Sequence, residues 1–185
     1  KFYKRHEDLS SDKATNDDFS LDFIEQNNCD LLVQLLPTSP FITTKEIDEF
    51  IVLMLKGDFQ TMISTKKVQI ESLYKGSPIN FDQKKQTPPS QLLSPVEAYA
   101  CGLMAWDTKK FKENMEKFNS AYHGGDGTIG FYELKGYSTV DIDNEEDFIV
   151  AEAIAESLKK QKSKKEYYSL SSKKEKKKVS HEEVD

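Results

Sequence analysis

The stretch from Leu31 to Ser64 does most to limit what this chain can fold into. Leu31-Leu32-Val33-Gln34-Leu35-Leu36 is short, nearly all apolar and ended by Pro37, the pattern of a strand buried on both faces. Pro37-Thr38-Ser39-Pro40 reads as a rigid loop. Thr43, with Glu46 three residues later, makes a capping box. Behind it Ile47, Phe50, Ile51, Met54 and Leu55 fall on one helical stripe. Gly57 stops that helix, and Phe59 to Ser64 reads as the next strand. A strand, a helix and a strand in this order predict a parallel, doubly wound α/β sheet.

The flanks extend the pattern. Asp17 to Asn27 reads as a helix with Phe19, Phe23 and Ile24 on one face and two acids in its first turn. Residues 66–95 break the periodicity with Gly76, Pro78, Pro88, Pro89 and Pro95, and are expected to leave the sheet as a β-hairpin arm. Cys101–Trp106 reads as a returning strand. Asp107 or Thr108 then caps a helix presenting Phe111, Met115 and Phe118, and Ile129–Leu134 is a further strand. Asp143, with Glu146 as its capping-box partner, opens a last helix whose apolar face is Phe148, Ala151, Ile154, Ala155 and Leu158. Residues 1–158 are expected to form one α/β domain. Residues 159–185 read as a lysine-rich tail that loses order beyond about Ser169.

Charge limits the partners. The net charge is −6, yet residues 159–185 hold ten lysines against five acids, so about +5 in the tail leaves about −11 for the body. An acidic body with a basic tail is not the footprint of a nucleic-acid reader. The run Lys173–Lys178 reads as a solvated tail, with a nuclear signal or polyanion patch as the other readings. No apolar run approaches the ~20 residues of a membrane helix. Lys1–Asp12 has no apolar signal core, and the absence of an initiating Met is read as a fragment boundary. Cys29 and Cys101 form no CxxC pair, so a reducing cytoplasm is expected. Arg5 is the sole arginine, so phosphate or carboxylate recognition has to draw on lysines, backbone N–H groups or a metal.

Three segments can carry chemistry. Asp141-Ile142-Asp143 places two carboxylates at i and i+2 ahead of a helix, where they can converge on a hard cation such as Mg²⁺ that also takes substrate phosphates. Ordinary N-terminal acids and a cap are the plainer reading of the same residues. Thr38 and Ser39 follow a strand, and ligands of open α/β sheets bind beyond the strands' C-terminal ends; a polar turn is the alternative. Lys4 to Asn16 sets donors and acceptors before a helix N-terminus, where phosphates dock; a solvated loop is the alternative. His6, His123 and His181 have no ligand spacing, and Gly124–Gly127 fits neither a Walker loop nor a dinucleotide fingerprint.

In order along the chain these pieces resemble the acylneuraminate cytidylyltransferase family, the CMP-sialic acid synthetases and their relatives. The resemblance spans about Lys4 to Glu156. Arg5-His6-Glu7-Asp8-Leu9-Ser10-Ser11-Asp12-Lys13-Ala14-Thr15 matches the family's Arg-Pro-x-x-Leu-x-x-Asp-x-Ala-(Ser/Thr) segment. Leu35 to Ile42 matches Leu-Gln-Pro-Thr-Ser-Pro-Leu-Arg. Gln91-Leu92-Leu93-Ser94-Pro95 precedes Cys101-Gly102-Leu103-Met104-Ala105, as Gln-Asp-Leu-Pro-Pro precedes Asn-Gly-Ala-Ile-Tyr. Ser138 to Phe148 matches the closing Ser-x-Asp-Ile-Asp motif with one extra residue.

The resemblance implies a Rossmann-like, three-layer nucleotide-diphospho-sugar transferase fold, incomplete at its N-terminus, with residues 66–95 as a dimerisation arm that covers the partner's sugar site. It implies a cytoplasmic homodimeric enzyme that transfers CMP from CTP to a sugar acid with Mg²⁺ and releases pyrophosphate. Asp141 and Asp143 take the metal positions, with Asp143 a base for the attacking hydroxyl. Arg5, Ala14 and Asn16 fall where the family holds the nucleotide; Thr38, Ser39, Gln91 and Cys101 fall where it holds the sugar acid. Leu36 replaces a Gln, Ile42 an Arg and Cys101 an Asn. A site that has lost such polar contacts loses the substrate they recognised, so a sugar acid other than sialic acid is expected. The family's N-terminal strand and basic triphosphate loop have no counterpart in these residues. A non-catalytic nucleotide- or sugar-binding dimer therefore stands as the alternative, and a nucleotidyltransferase using another base as a third reading.

Overall fold

The computed structural model describes residues 2–171. Two compact units divide the chain, Lys1–Asp141 and Ile142–Asp185.

The first unit is built on a four-stranded mixed sheet. Its strands are β1 (Leu31–Leu35), β2 (Thr61–Val68), β5 (Val96–Asp107) and β6 (Ile129–Glu133), in the order β1-β5-β2-β6. β5 lies antiparallel to both β1 and β2, while β2 and β6 are parallel. So β1, β2 and β6 run the same way, as the strand–helix–strand order requires, and β5 corrects the all-parallel expectation by threading between β1 and β2. Local pattern carries no strand direction, which is set only by the long-range pairing.

Alternate residues of the strands feed two cores, because strand side chains point to opposite faces. On one face Ile63, Met104 and Trp106 meet Ile24 of helix α1 (Asn16–Gln26) and Phe111 of helix α3 (Thr108–Phe118). On the other, Met62, Leu103 and Ala105 meet Phe50 and Met54 of helix α2 (Thr44–Lys56). The result is helix, sheet and helix in three layers. The caps form at Thr15 with Asp18, at Thr43 with Glu46 and at Asp107. Asp17 does more than favour the helix dipole: its Oδ1 accepts from the backbone N–H of Ala121 and Tyr122, tying α1 to the loop after α3.

Residues 69–95 leave the sheet as an arm. Its tip is a two-residue hairpin between β3 (Leu73–Tyr74) and β4 (Ser77–Pro78). Lys75 (φ 50°) and Gly76 (φ 81°) both take positive φ, the signature of a type I′ turn. Two amides brace the arm. Gln69 Nε2 donates to the carbonyls of Ser90, Gln91 and Leu93. Asn80 Nδ2 donates to Ile70 and Ser94, and its Oδ1 accepts from Ser72 N–H.

In the second unit helix α4 runs from Glu145 to Ser171. Its N-cap is Asn144, not Asp143. Asn144 Oδ1 accepts from Asp147 N–H, while Asp147 Oδ2 accepts from the N–H groups of Asp143 and Asn144. The reciprocal box expected of Asp143 and Glu146 thus forms one residue later. Ala151 is buried and Ile154, Ala155 and Leu158 are half-buried, but Phe148 is exposed. Residues 172–185, with the lysine run 173–178, lie outside the described residues.

Candidate active site

β1, β2 and β6 end at the same edge of the sheet, and the loop after β1 meets the loop after β6 there. After Leu35 the chain makes two successive turns, Ser39 N–H to Leu36 O and Ile42 N–H to Ser39 O, with Pro37 and Pro40 fixing φ. After β6 it makes a 3-10 turn, Gly136–Thr139, entered through Gly136 at φ 58°. Three contacts join the loops. Ser39 Oγ donates to Asp141 Oδ1 (3.3 Å), Ser138 Oγ donates to Phe41 O (3.3 Å), and the rings of Phe41 and Tyr137 lie 6.3 Å apart.

β5 supplies the third wall through an irregularity. Ile63 pairs with Met104 but Thr65 pairs with Tyr99, so four residues of β5 lie opposite the single Ser64 of β2. The extra residues, 100–103, bulge, and the buried Ser64 hydroxyl replaces the ladder by accepting from Leu103 N–H. Bulges of this kind gather beside functional sites. Gly102 sits within it and its carbonyl accepts from Leu36 N–H. A Cβ at Gly102 would come within 2.5 Å of Ser39 Oγ and 2.8 Å of Ile42 Cδ1. Only glycine lets the loop after β1 lie this close to β5.

The expected site residues therefore fall in separate places. Ser39, Asp141 and the Cys101–Gly102 step of β5 converge at the strand ends. Ser39 is 5% exposed, Thr38 half-buried and Asp141 half-buried. Asp143 is exposed and belongs to the second unit. Gln91 sits at the base of the arm, its carbonyl held by Gln69. Arg5 is exposed, its guanidinium 5.2 Å from the centre of the Phe19 ring. Arg5 and Phe19 line a cleft of about 310 Å³ along β1 whose walls include Phe23, Leu32 and Gln34. The Gln34 Oε1 carbonyl is buried there without a hydrogen-bond partner among the described residues. Ala14 and Asn16 flank the capping residue of α1, Asn16 exposed at its N-terminus. Ile42, where the resembled family has Arg, packs instead against the α2 core.

Sequence reasoning missed the organisers: Ser64, Gly102, Gln69 and Asn80. Only Gly102 carried a local signal, a glycine inside an apolar strand.

Electrostatics at the junction centre on acids. Burial alone would push the Glu46 carboxyl up, but hydrogen bonds, those from the Thr43 N–H (2.8 Å) and hydroxyl (2.7 Å) among them, outweigh it and hold the group below the usual carboxylate range. Asp141 has no lysine, arginine or histidine partner among the described residues. A half-buried carboxylate with no counter-charge suits a divalent cation, which would neutralise it. Among the described residues no group of three or more His, Cys, Asp or Glu could enclose a metal. A site offering one or two carboxylates fits Mg²⁺, which keeps waters and substrate phosphates as its other ligands.

No family model and no curated protein matches the sequence. Solved structures do. The chain resembles 4-diphosphocytidyl-2C-methyl-D-erythritol synthase from Anaerococcus prevotii (16% identity, TM-score 0.52, 78% of this chain and 68% of that one). It resembles CMP:2-keto-3-deoxy-manno-octonic acid synthetase, solved in complex with CTP (12%, 0.55, 79% and 70%). It also resembles 2-C-methyl-D-erythritol 4-phosphate cytidylyltransferase from Thermus thermophilus (11%, 0.53, 77% and 70%). The fold is the Rossmann-like one that these nucleotidyltransferases share. At such identities the likeness fixes the fold and leaves the chemistry to the site.

Proposed function

We propose that this chain acts as a cytidylyltransferase that moves CMP from CTP to a sugar acid and releases pyrophosphate. The observation that carries this reading is the meeting of the Pro37–Pro40 loop, the β5 bulge and Asp141 at the C-terminal ends of three parallel strands. That is where open α/β sheets bind ligands, and the neighbours with this fold are named for cytidylyl transfer.

In this reading a bound Mg²⁺ supplies charge neutralisation at the transferring phosphoryl group. Asp141 holds it, and Asp143, two residues along the chain, is its second ligand and the base for the attacking hydroxyl. Arg5 with Ala14 and Asn16 holds the nucleotide. Thr38, Gln91 and Cys101 serve the sugar acid. Ile42 in the core and Leu36 in the turn cannot make the polar contacts of the Arg and Gln that the resembled family has there, so a different sugar acid is the substrate. The same two residues favour one second reading, a relative that binds nucleotide or sugar without turnover.

The test is a screen for pyrophosphate release from each nucleoside triphosphate against a set of sugar acids, with Mg²⁺ and the intact protein. CTP with one sugar acid is expected to react, and Asp141→Asn and Asp143→Asn to abolish the signal. Release from no combination selects the binding module. Release with another triphosphate selects a different base.

A further inference from the structure

We propose that Ser39 is a positioning residue for the Asp141 carboxylate and does not touch the sugar acid. The inference rests on reading Asp141 as a metal ligand. Ser39 is 5% exposed, and the main chain of β5 at Gly102 closes over its hydroxyl. A hydroxyl has one proton to give, and this one goes to Asp141 Oδ1 at 3.3 Å. Asp141 Oδ2 has no donor among the described residues, so one oxygen is steered and the other is left for the ion.

The placement of the hydroxyl is itself fixed. Ser39 is held by its own N–H bond to Leu36 O and flanked by Pro37 and Pro40. The loop bearing Asp141 is tied to the same segment by Ser138 Oγ on Phe41 O and by the Phe41–Tyr137 ring contact. Orienting groups behind metal ligands typically contribute ~10–100-fold to metal affinity.

The experiment is a Mn²⁺ titration of the intact protein, alone and with CMP, following free Mn²⁺ by electron paramagnetic resonance. Ser39→Ala is expected to weaken binding about 10-fold, and Asp141→Asn to remove it. Ser138→Ala cuts the neighbouring tie between the same loops; it is expected to lower the thermal midpoint and leave Mn²⁺ affinity unchanged. Wild-type affinity in Ser39→Ala, with loss in Asp141→Asn, overturns the positioning role and leaves the metal reading standing. Equal losses in Ser39→Ala and Ser138→Ala overturn it in favour of a merely structural tie. Unchanged binding in Asp141→Asn, or no binding by the wild type, overturns the metal reading and this inference with it.

Discussion

Asp126 receives two lysines of α3 at once, Lys110 Nζ on Oδ1 (3.0 Å) and Lys117 Nζ on Oδ2 (2.6 Å). These pairs tie the glycine-rich loop to the helix, and Asn114 Nδ2 adds a buried bond to Gly124 O. The two hydrogen bonds, first that from Lys117 and then that from Lys110, hold the Asp126 carboxyl down at about 2, below its ordinary 3.8. The folded state therefore resists a proton that the unfolded chain accepts. The resulting stability is present above the ordinary value and is lost as pH falls through about 2. Asp126→Asn should melt below the wild type near neutrality, with the gap closing between pH 4 and pH 2. Thermal melts across that window check it, and added salt should narrow the gap because Asp126 and Lys117 are exposed. A gap that is constant with pH would assign the effect to packing.

The arm is the element whose order depends least on a core. Asn80 alone closes three backbone bonds across it, to Ile70, Ser72 and Ser94. Replacing it with Ala leaves those groups to water and should cost about 1–2 kcal/mol locally. The expected outcome is faster hydrogen exchange confined to residues 69–95, with the sheet amides unchanged; a global rise would show that the arm and sheet unfold as one. How legible the elements were differs for physical reasons. α2 was readable because its cap, stripe and stop are all local. β5 was read only from Cys101, because its first half pairs across a bulge that no short window records. The last helix was capped one residue early because Asp143-x-x-Glu146 and Asn144-x-x-Asp147 are overlapping versions of one motif. At the site, the burial of Ser39 was not legible, because Gly102, which lies against its hydroxyl, is 63 positions away.

At the scale of the molecule, the open question is what covers the arm. Ile70, Leu73, Tyr74, Ile79 and Leu92 are each more than half exposed within it. Burying one such side chain is favourable by about 1.5–3 kcal/mol, so leaving five in water is a standing drive toward association. A second copy satisfies that drive without any new surface, because a two-fold interface pairs the same patch with itself. The hairpin tip suits the role: its I′ turn is short and Asn80 and Gln69 brace its base, so little freedom is lost on docking. We therefore expect a homodimer through the arm. Leu73→Asp with Ile79→Asp sets four carboxylates into one symmetric contact and should give a monomer by sedimentation equilibrium. Both positions are exposed, so far-ultraviolet circular dichroism should stay as in the wild type. A wild type that sediments as a monomer, or a doubly substituted chain that stays dimeric, would move the interface off the arm. If the arm also covers the partner's sugar site, the monomeric variant should lose affinity for the sugar acid and keep that for CTP.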